Sequence, residues 1–220
     1  MIDVCDKLVF CDIETTGLDE RKDFILEVGL VVTDLQLNIL GEWSSLVLND
    51  DWRARLAGNQ LVWDMHTKSG LIKELDQLQN SPHLPGDYDS AVVAFKAYTW
   101  LTKDMGLPEN EIPCAGSSVH FDRDFLRNSR MIVLNSFFSH RNIDVSSLKE
   151  LCRRYNRDLW EQISARTANI TKNHRVLGDI YATMDELKIY IENFLFVPGN
   201  ALEDSISGQP VIPGLENVGA

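Results

Sequence analysis

The apolar run Leu8-Val9-Phe10-Cys11 ends directly on Asp12-Ile13-Glu14-Thr15-Thr16-Gly17, and this junction constrains the chain more than any other segment. A short apolar run of this kind reads as a buried strand. Side chains two apart along a strand point to the same side of the sheet, so Asp12 and Glu14 share one face. Two carboxylates in one small volume repel each other unless a cation joins them. Hard oxygen ligands grouped this way suit Mg²⁺ or Mn²⁺ and not zinc. The expectation is a magnesium-type metal site at the edge of an α/β sheet. An acidic turn after a strand is the plainer alternative, and the Thr15-Thr16-Gly17 turn and further acids downstream argue against it.

At 220 residues, 44% hydrophobic and 25% charged, the chain suits one soluble α/β domain with an extension. No stretch approaches the roughly 20 apolar residues of a membrane helix, so no membrane partner is expected. Met1–Asp6 carries acids and no basic stretch, so no secretory leader and a cytoplasmic location are expected. The four cysteines, at 5, 11, 114 and 152, form no C-x-x-C pattern and read as reduced structural thiols. A net charge of −12 argues against a long basic groove gripping many phosphates. Any nucleic-acid partner should be short, or held by a few local contacts plus metal.

The spacing predicts strands at 8–12, 25–34 and about 42–48, then an irregular stretch over 50–66 and a short helix at 68–78. Ser81–Asp87 is a loop by composition. Ala91, Ala94, Phe95, Tyr98, Leu101 and Met105 recur at helical spacing, predicting a helix over 89–105, with a strand at 112–116 after it. Helices follow at 121–130, 144–156 and 176–196, the last carrying a continuous apolar stripe. Three prolines and four glycines in 198–220 mark an irregular C-terminal extension to a domain spanning 1–197. Strands first, then strands mixed with helices, imply a mixed sheet flanked by helices.

Two later acids extend the constellation. Asp122 sits just after the 112–116 strand at an expected helix start, and Asp179 follows His174 by five positions at the start of the last helix. The order D-x-E, later D, then H-x-x-x-x-D resembles the DEDDh group of 3′–5′ exonucleases. Thr15 and Thr16 are similar to the proofreading exonuclease subunit of DNA polymerase. Phe24–Val28 with Val32-Thr33-Asp34, His66-Thr67 with Ser69-Gly70-Leu71, and Asp144–Leu151 resemble oligoribonuclease.

The resemblance implies an RNase H-like fold and two-metal hydrolysis with two divalent cations, Mg²⁺ or Mn²⁺. Asp12, Glu14, Asp122 and Asp179 would hold the metals, and His174 would take the proton from the attacking water. Thr15, Gly17, Leu18 and His66 would contact substrate, Leu18 as a wedge against the terminal base and His66 at a phosphate. Ser118, Arg141 and Ser146 would cap the 5′ phosphate, the last two from across a homodimer interface. His140 stands where the family has a tyrosine reaching into the partner's site, and Leu61 where it has a stacking aromatic. The implied partner is short single-stranded RNA, with proofreading-type cleavage of single-stranded DNA as the alternative. A non-catalytic nucleic-acid-binding module of the same fold is a third reading.

Overall fold

The computed structural model describes residues 6–81, 85–167 and 174–195. The expectations for the N-terminal segment and the 198–220 extension fall outside these residues. Three strands come first: β1 (Lys7–Thr15), β2 (Ile25–Asp34) and β3 (Ile39–Leu46). Three short helices follow, α1 (Trp52–Ala57), α2 (Gln60–Lys68) and α3 (Leu71–Gln79). Next come α4 (Ser90–Thr99), extended by a π-helical turn over Trp100–Asp104, and then β4 (Cys114–Gly116). The second half carries α5 (Val119–Asn128), α6 (Ile132–Phe137), β5 (Asn142–Asp144), α7 (Val145–Tyr155), α8 (Arg157–Thr167) and α9 (Val176–Tyr190).

The sheet order is β3-β2-β1-β4-β5. β1 is antiparallel to β2 and parallel to β4, so the sheet is mixed. β2 is buried from Ile25 to Thr33, which fits an apolar run interrupted by Glu27 and ending on Thr33-Asp34. β3 lies at an edge and is mostly exposed or half-buried.

The alternation along β1 sorts the core. Val9, Cys11 and Ile13 pack with α4, α5 and α6 on one face. Leu8 and Phe10 pack with α7, α8 and α9 on the other. By the same parity Asp12 and Glu14 continue the Leu8–Phe10 side, so α9 is the helix that covers them. A third cluster joins Leu26 to Trp52, Leu56, Leu71 and Leu75 and ties α1–α3 to the end of β2. Cys11, Cys114 and Cys152 are buried free thiols.

The stretch expected to be irregular, 50–66, is instead helical in two pieces. Each is only one or two turns long, and the Gly58-Asn59 break between them hides any period. Asn59 starts the second by accepting a hydrogen bond from the Val62 amide. β5, α6 and α8 carried no distinct periodic signal.

Candidate active site

β1 delivers Asp12 and Glu14 at its C-terminal end, where its partner on one side has already stopped. β4 pairs only with Val9 and Phe10 of β1. The amide of Ile13, beyond that pairing, donates instead to Asp122 Oδ1 at 3.1 Å. Asp122 is thereby drawn from the first turn of α5 to the end of β1, where it is 4% exposed.

The third element is α9. His174 immediately precedes its N-cap residue Arg175, and Asp179 lies in its first turn. One ligand atom each from Glu14, His174 and Asp179 lie within 4.8 Å of one another. This approach depends on Gly29, the β2 partner of Asp12. A Cβ at Gly29 would stand 2.6 Å from Val176 Cγ2, so no larger residue lets α9 sit this close to the sheet.

The electrostatics fit a cation site. Burial, with Asp12, Asp179 and Glu27 nearby, pushes the Glu14 carboxyl up to about 9, and Arg175 opposes this. Burial and Asp12 likewise raise Asp122 well above the usual carboxylate range. A divalent ion that binds such carboxyls displaces their protons into solvent, so the group of Glu14, His174 and Asp179, with Asp12 beside it, could hold a metal.

The turn after β1 is locked from below. Thr16 Oγ1 donates to Asp23 Oδ1 at 3.0 Å, and the Phe24 amide donates back to Thr16 Oγ1 at 2.9 Å. Asp23 also accepts from the Asp19 amide and from Arg55 Nε, the latter at 2.7 Å. Gly17 is required here, because a Cβ would meet the Asp23 carboxylate at 2.4 Å. Thr15 Oγ1 donates to Gly17 O at 2.6 Å, which commits that hydroxyl to the turn. Leu18 follows at 80% exposure, so it is not a core leucine.

His66 lies behind the end of β1. The ring has no exposed surface, and Nε2–H donates to the carbonyl of Thr15 at 2.8 Å. Its Nδ1 lies 3.8 Å from Glu14 Oε2. Burial pushes its pKa down, and the imidazole backs the end of β1. The sequence reading puts His66 in an irregular stretch, whereas it sits on α2 behind the Glu14 carboxylate.

Ser118, with left-handed backbone at φ 59°, begins α5. Its amide donates to Asp144 Oδ1, which also accepts the amide and hydroxyl of Ser146. The Ser118 and Ser146 hydroxyls are 3.4 Å apart, a contact made within one chain. Arg141 and His140 are exposed on the loop before β5. Leu61, at the expected aromatic position, is 81% exposed on α2, while Trp63 packs against the α1–α3 cluster.

Asp19 and Asp124 are not drawn into the cluster: Asp19 pairs with Lys22 and Asp124 with Arg127. Residues that the sequence reading missed include Asp23, Asp144 and the trio Glu27, Glu74 and Arg175. Only Glu27 left a signal, as a lone acid inside an apolar strand.

No family model matches the chain. It is 33% identical to the oligoribonuclease of Mycobacterium leprae over 216 residues, 95% of this chain and 94% of that protein. It is 37% identical to the oligoribonuclease of Mycobacterium sp. strain KMS over 205 residues, 90% and 86% of the two chains. Among solved structures, an exonuclease I superimposes with a TM-score of 0.55 at 18% identity, over 86% of this chain and 42% of that one. The zinc-bound complex of Escherichia coli exonuclease I with single-stranded DNA gives 0.54 at 18% identity, over 86% and 41%. The chain thus spans about two fifths of those exonucleases. At that identity the likeness bears on the fold, which is the RNase H-like mixed sheet flanked by helices.

Proposed function

The chain belongs to the oligoribonuclease family and is a 3′–5′ exonuclease of short oligonucleotides; from that premise we propose that it hydrolyses short single-stranded RNA to nucleoside 5′-monophosphates. The observation that carries this reading is the meeting of Glu14, His174 and Asp179 within 4.8 Å at the end of β1. Asp12, Glu14, Asp122 and Asp179 would hold two divalent cations, Mg²⁺ or Mn²⁺. When bound, these supply Lewis-acid stabilisation to the charge that builds on the phosphate and its leaving oxygen.

His174 takes the proton from the water that attacks the terminal phosphodiester, as an imidazole near neutrality can. His66 holds the Thr15 carbonyl and so keeps Glu14 aimed into the site. The exposed Leu18 lies against the terminal base. Gly17 lets the backbone of the turn approach the substrate without a side chain in the way. Ser118 and Ser146, with the exposed Arg141 guanidinium, receive the 5′ phosphate of a very short strand. A homodimer in the cytoplasm, with His140 and Arg141 near the subunit boundary, completes the proposal. Among the described residues, no helix is long and apolar enough to cross a membrane.

A second reading, cleavage of single-stranded DNA, is favoured by Leu61, which offers no stacking ring at 81% exposure. The test is product analysis with Mn²⁺ and labelled strands of two, five and twenty nucleotides, as RNA and as DNA. Rapid cleavage of the two-nucleotide RNA and slow attack on twenty-mers supports the capped pocket. Steady degradation of long DNA would replace it with an open cleft. Asp179→Ala should lose activity and metal binding together, whereas His174→Ala should lose rate and keep metal.

A further inference from the structure

We propose that Arg175 is a positioning residue for hydrolysis: its grip on Glu27 and Glu74 sets the direction of the neighbouring His174. The inference rests on the assignment of His174 as the general base.

Arg175 is anchored through its whole side chain. Nε and Nη2 donate to Glu27 Oε2 and Oε1 at 2.9 and 2.8 Å, a two-pronged pair on β2. Nη1 and Nη2 donate to Glu74 Oε1 and Oε2 at 2.7 and 2.8 Å, a second such pair on α3. A planar guanidinium held on two sides has no rotational freedom left, which a lysine ammonium could not reproduce. The main chain is fixed as well, since Arg175 O accepts the amide of Asp179 at 3.0 Å.

His174 is joined to this anchored residue by one peptide bond, and it holds a left-handed backbone at φ 51°. A non-glycine residue keeps such a conformation only where its surroundings impose it. The Arg175 anchor is the constraint on its C-terminal side. The imidazole's position within 4.8 Å of Glu14 and Asp179 follows from that constraint.

The clamp also has an electrostatic consequence. Glu27 stands directly opposite Glu14 in the β1–β2 register, at 5% exposure. Like charges facing each other across strands are unfavourable. The bidentate pair with Arg175 neutralises Glu27 beside the carboxylate cluster. The two halves of the clamp differ: the Glu27 side chain is 6% exposed, that of Glu74 45%. The buried half should carry most of the positioning.

The opposing signs make the test decisive. Removing a cation from beside the cluster should leave divalent-metal binding unchanged or tighter, whereas a local collapse of the site would weaken it. The full-length chain would be compared as Arg175→Met, Arg175→Lys, Glu74→Gln and His174→Ala, with a two-nucleotide RNA as substrate. Mn²⁺ binding would be measured by calorimetry. Arg175→Met should lower kcat roughly 30- to 100-fold, in line with a misplaced catalytic group. KM should stay within about threefold, because substrate binding is not removed. Arg175→Lys should restore only part of the rate, and Glu74→Gln should change it less than about threefold. In the His174→Ala background, adding Arg175→Met should cost less than about threefold more, since both act through one group.

A wild-type kcat in Arg175→Met, or a full additive loss on top of His174→Ala, overturns the positioning role. Weakened Mn²⁺ binding in both Arg175→Met and Arg175→Lys overturns it too, and assigns the pair to fold maintenance. If His174→Ala itself keeps the wild-type rate, the general-base assignment fails, a result separable from any of these.

Discussion

At the residue scale, one carboxyl governs how the site behaves without metal. Glu14 is 6% exposed, faces Glu27 across the strands, and is pushed up to about 9 by burial and neighbouring acids. In the unfolded chain a glutamate releases its proton near 4.5. Between those values the folded state keeps a proton that the unfolded state has lost. The stability this contributes is complete below about pH 4.5 and drains away as pH rises toward about 9. In chelator, the native chain should therefore lose about 4 °C or more of Tm relative to Glu14→Gln between the two ends of that window. Scanning calorimetry at pH 5 and pH 8.5 reads this difference. Saturating Mg²⁺ should abolish it, because the metal binds the ionised form.

At the element scale, the site is made by the closeness of α9 to the sheet. Val176 rests on Gly29 with no room for a Cβ, and Ile180 Cδ1 would stand 3.4 Å from that same atom. Gly29→Ala should push the first turn of α9 outward, carrying Asp179 with it. Overpacking of this kind costs about 1–3 kcal/mol, which urea unfolding would register as a lower midpoint. Activity should fall by more than the stability loss explains, since the displaced turn carries Asp179, which would hold metal in the proposed site. Retention of full activity would show that α9 accommodates the methyl group by moving elsewhere. The same scale explains what the sequence concealed. The apolar stripe of α9 and the strand runs of β1 and β2 were legible because each is long and regular. The pieces over 52–68 and 132–144 were not, because one or two turns or three strand residues hold no measurable period.

At the scale of the whole molecule, charge and site point the same way. The net charge of −12 repels a long polyanion, so on the proposed reading attraction would be left to bound cations and a few side chains such as Arg141. For an RNA of two nucleotides, kcat/KM should therefore fall only shallowly with salt, with a log–log slope no steeper than about −1.5. A steep slope would point to an extended basic track instead. The Ser118 and Ser146 hydroxyls meet within one chain, and whether a second copy also contributes is a question of subunits. Sedimentation at working concentration would answer the latter by itself.

The sequence by itself determined the family: the order of Asp12, Glu14, Asp122, His174 and Asp179 carries the resemblance, and strand parity alone puts the first two on one face. That is because ligand identity and i, i+2 spacing are local properties. What only the tertiary structure decided is how those residues are held. Glu27 and Arg175 are 148 positions apart, and His66 lies 51 from the carbonyl it supports. No local pattern encodes such pairings. They exist only once β2, α2, α3 and α9 have packed against the end of β1, and burial then turns ordinary side chains into the supports of the site.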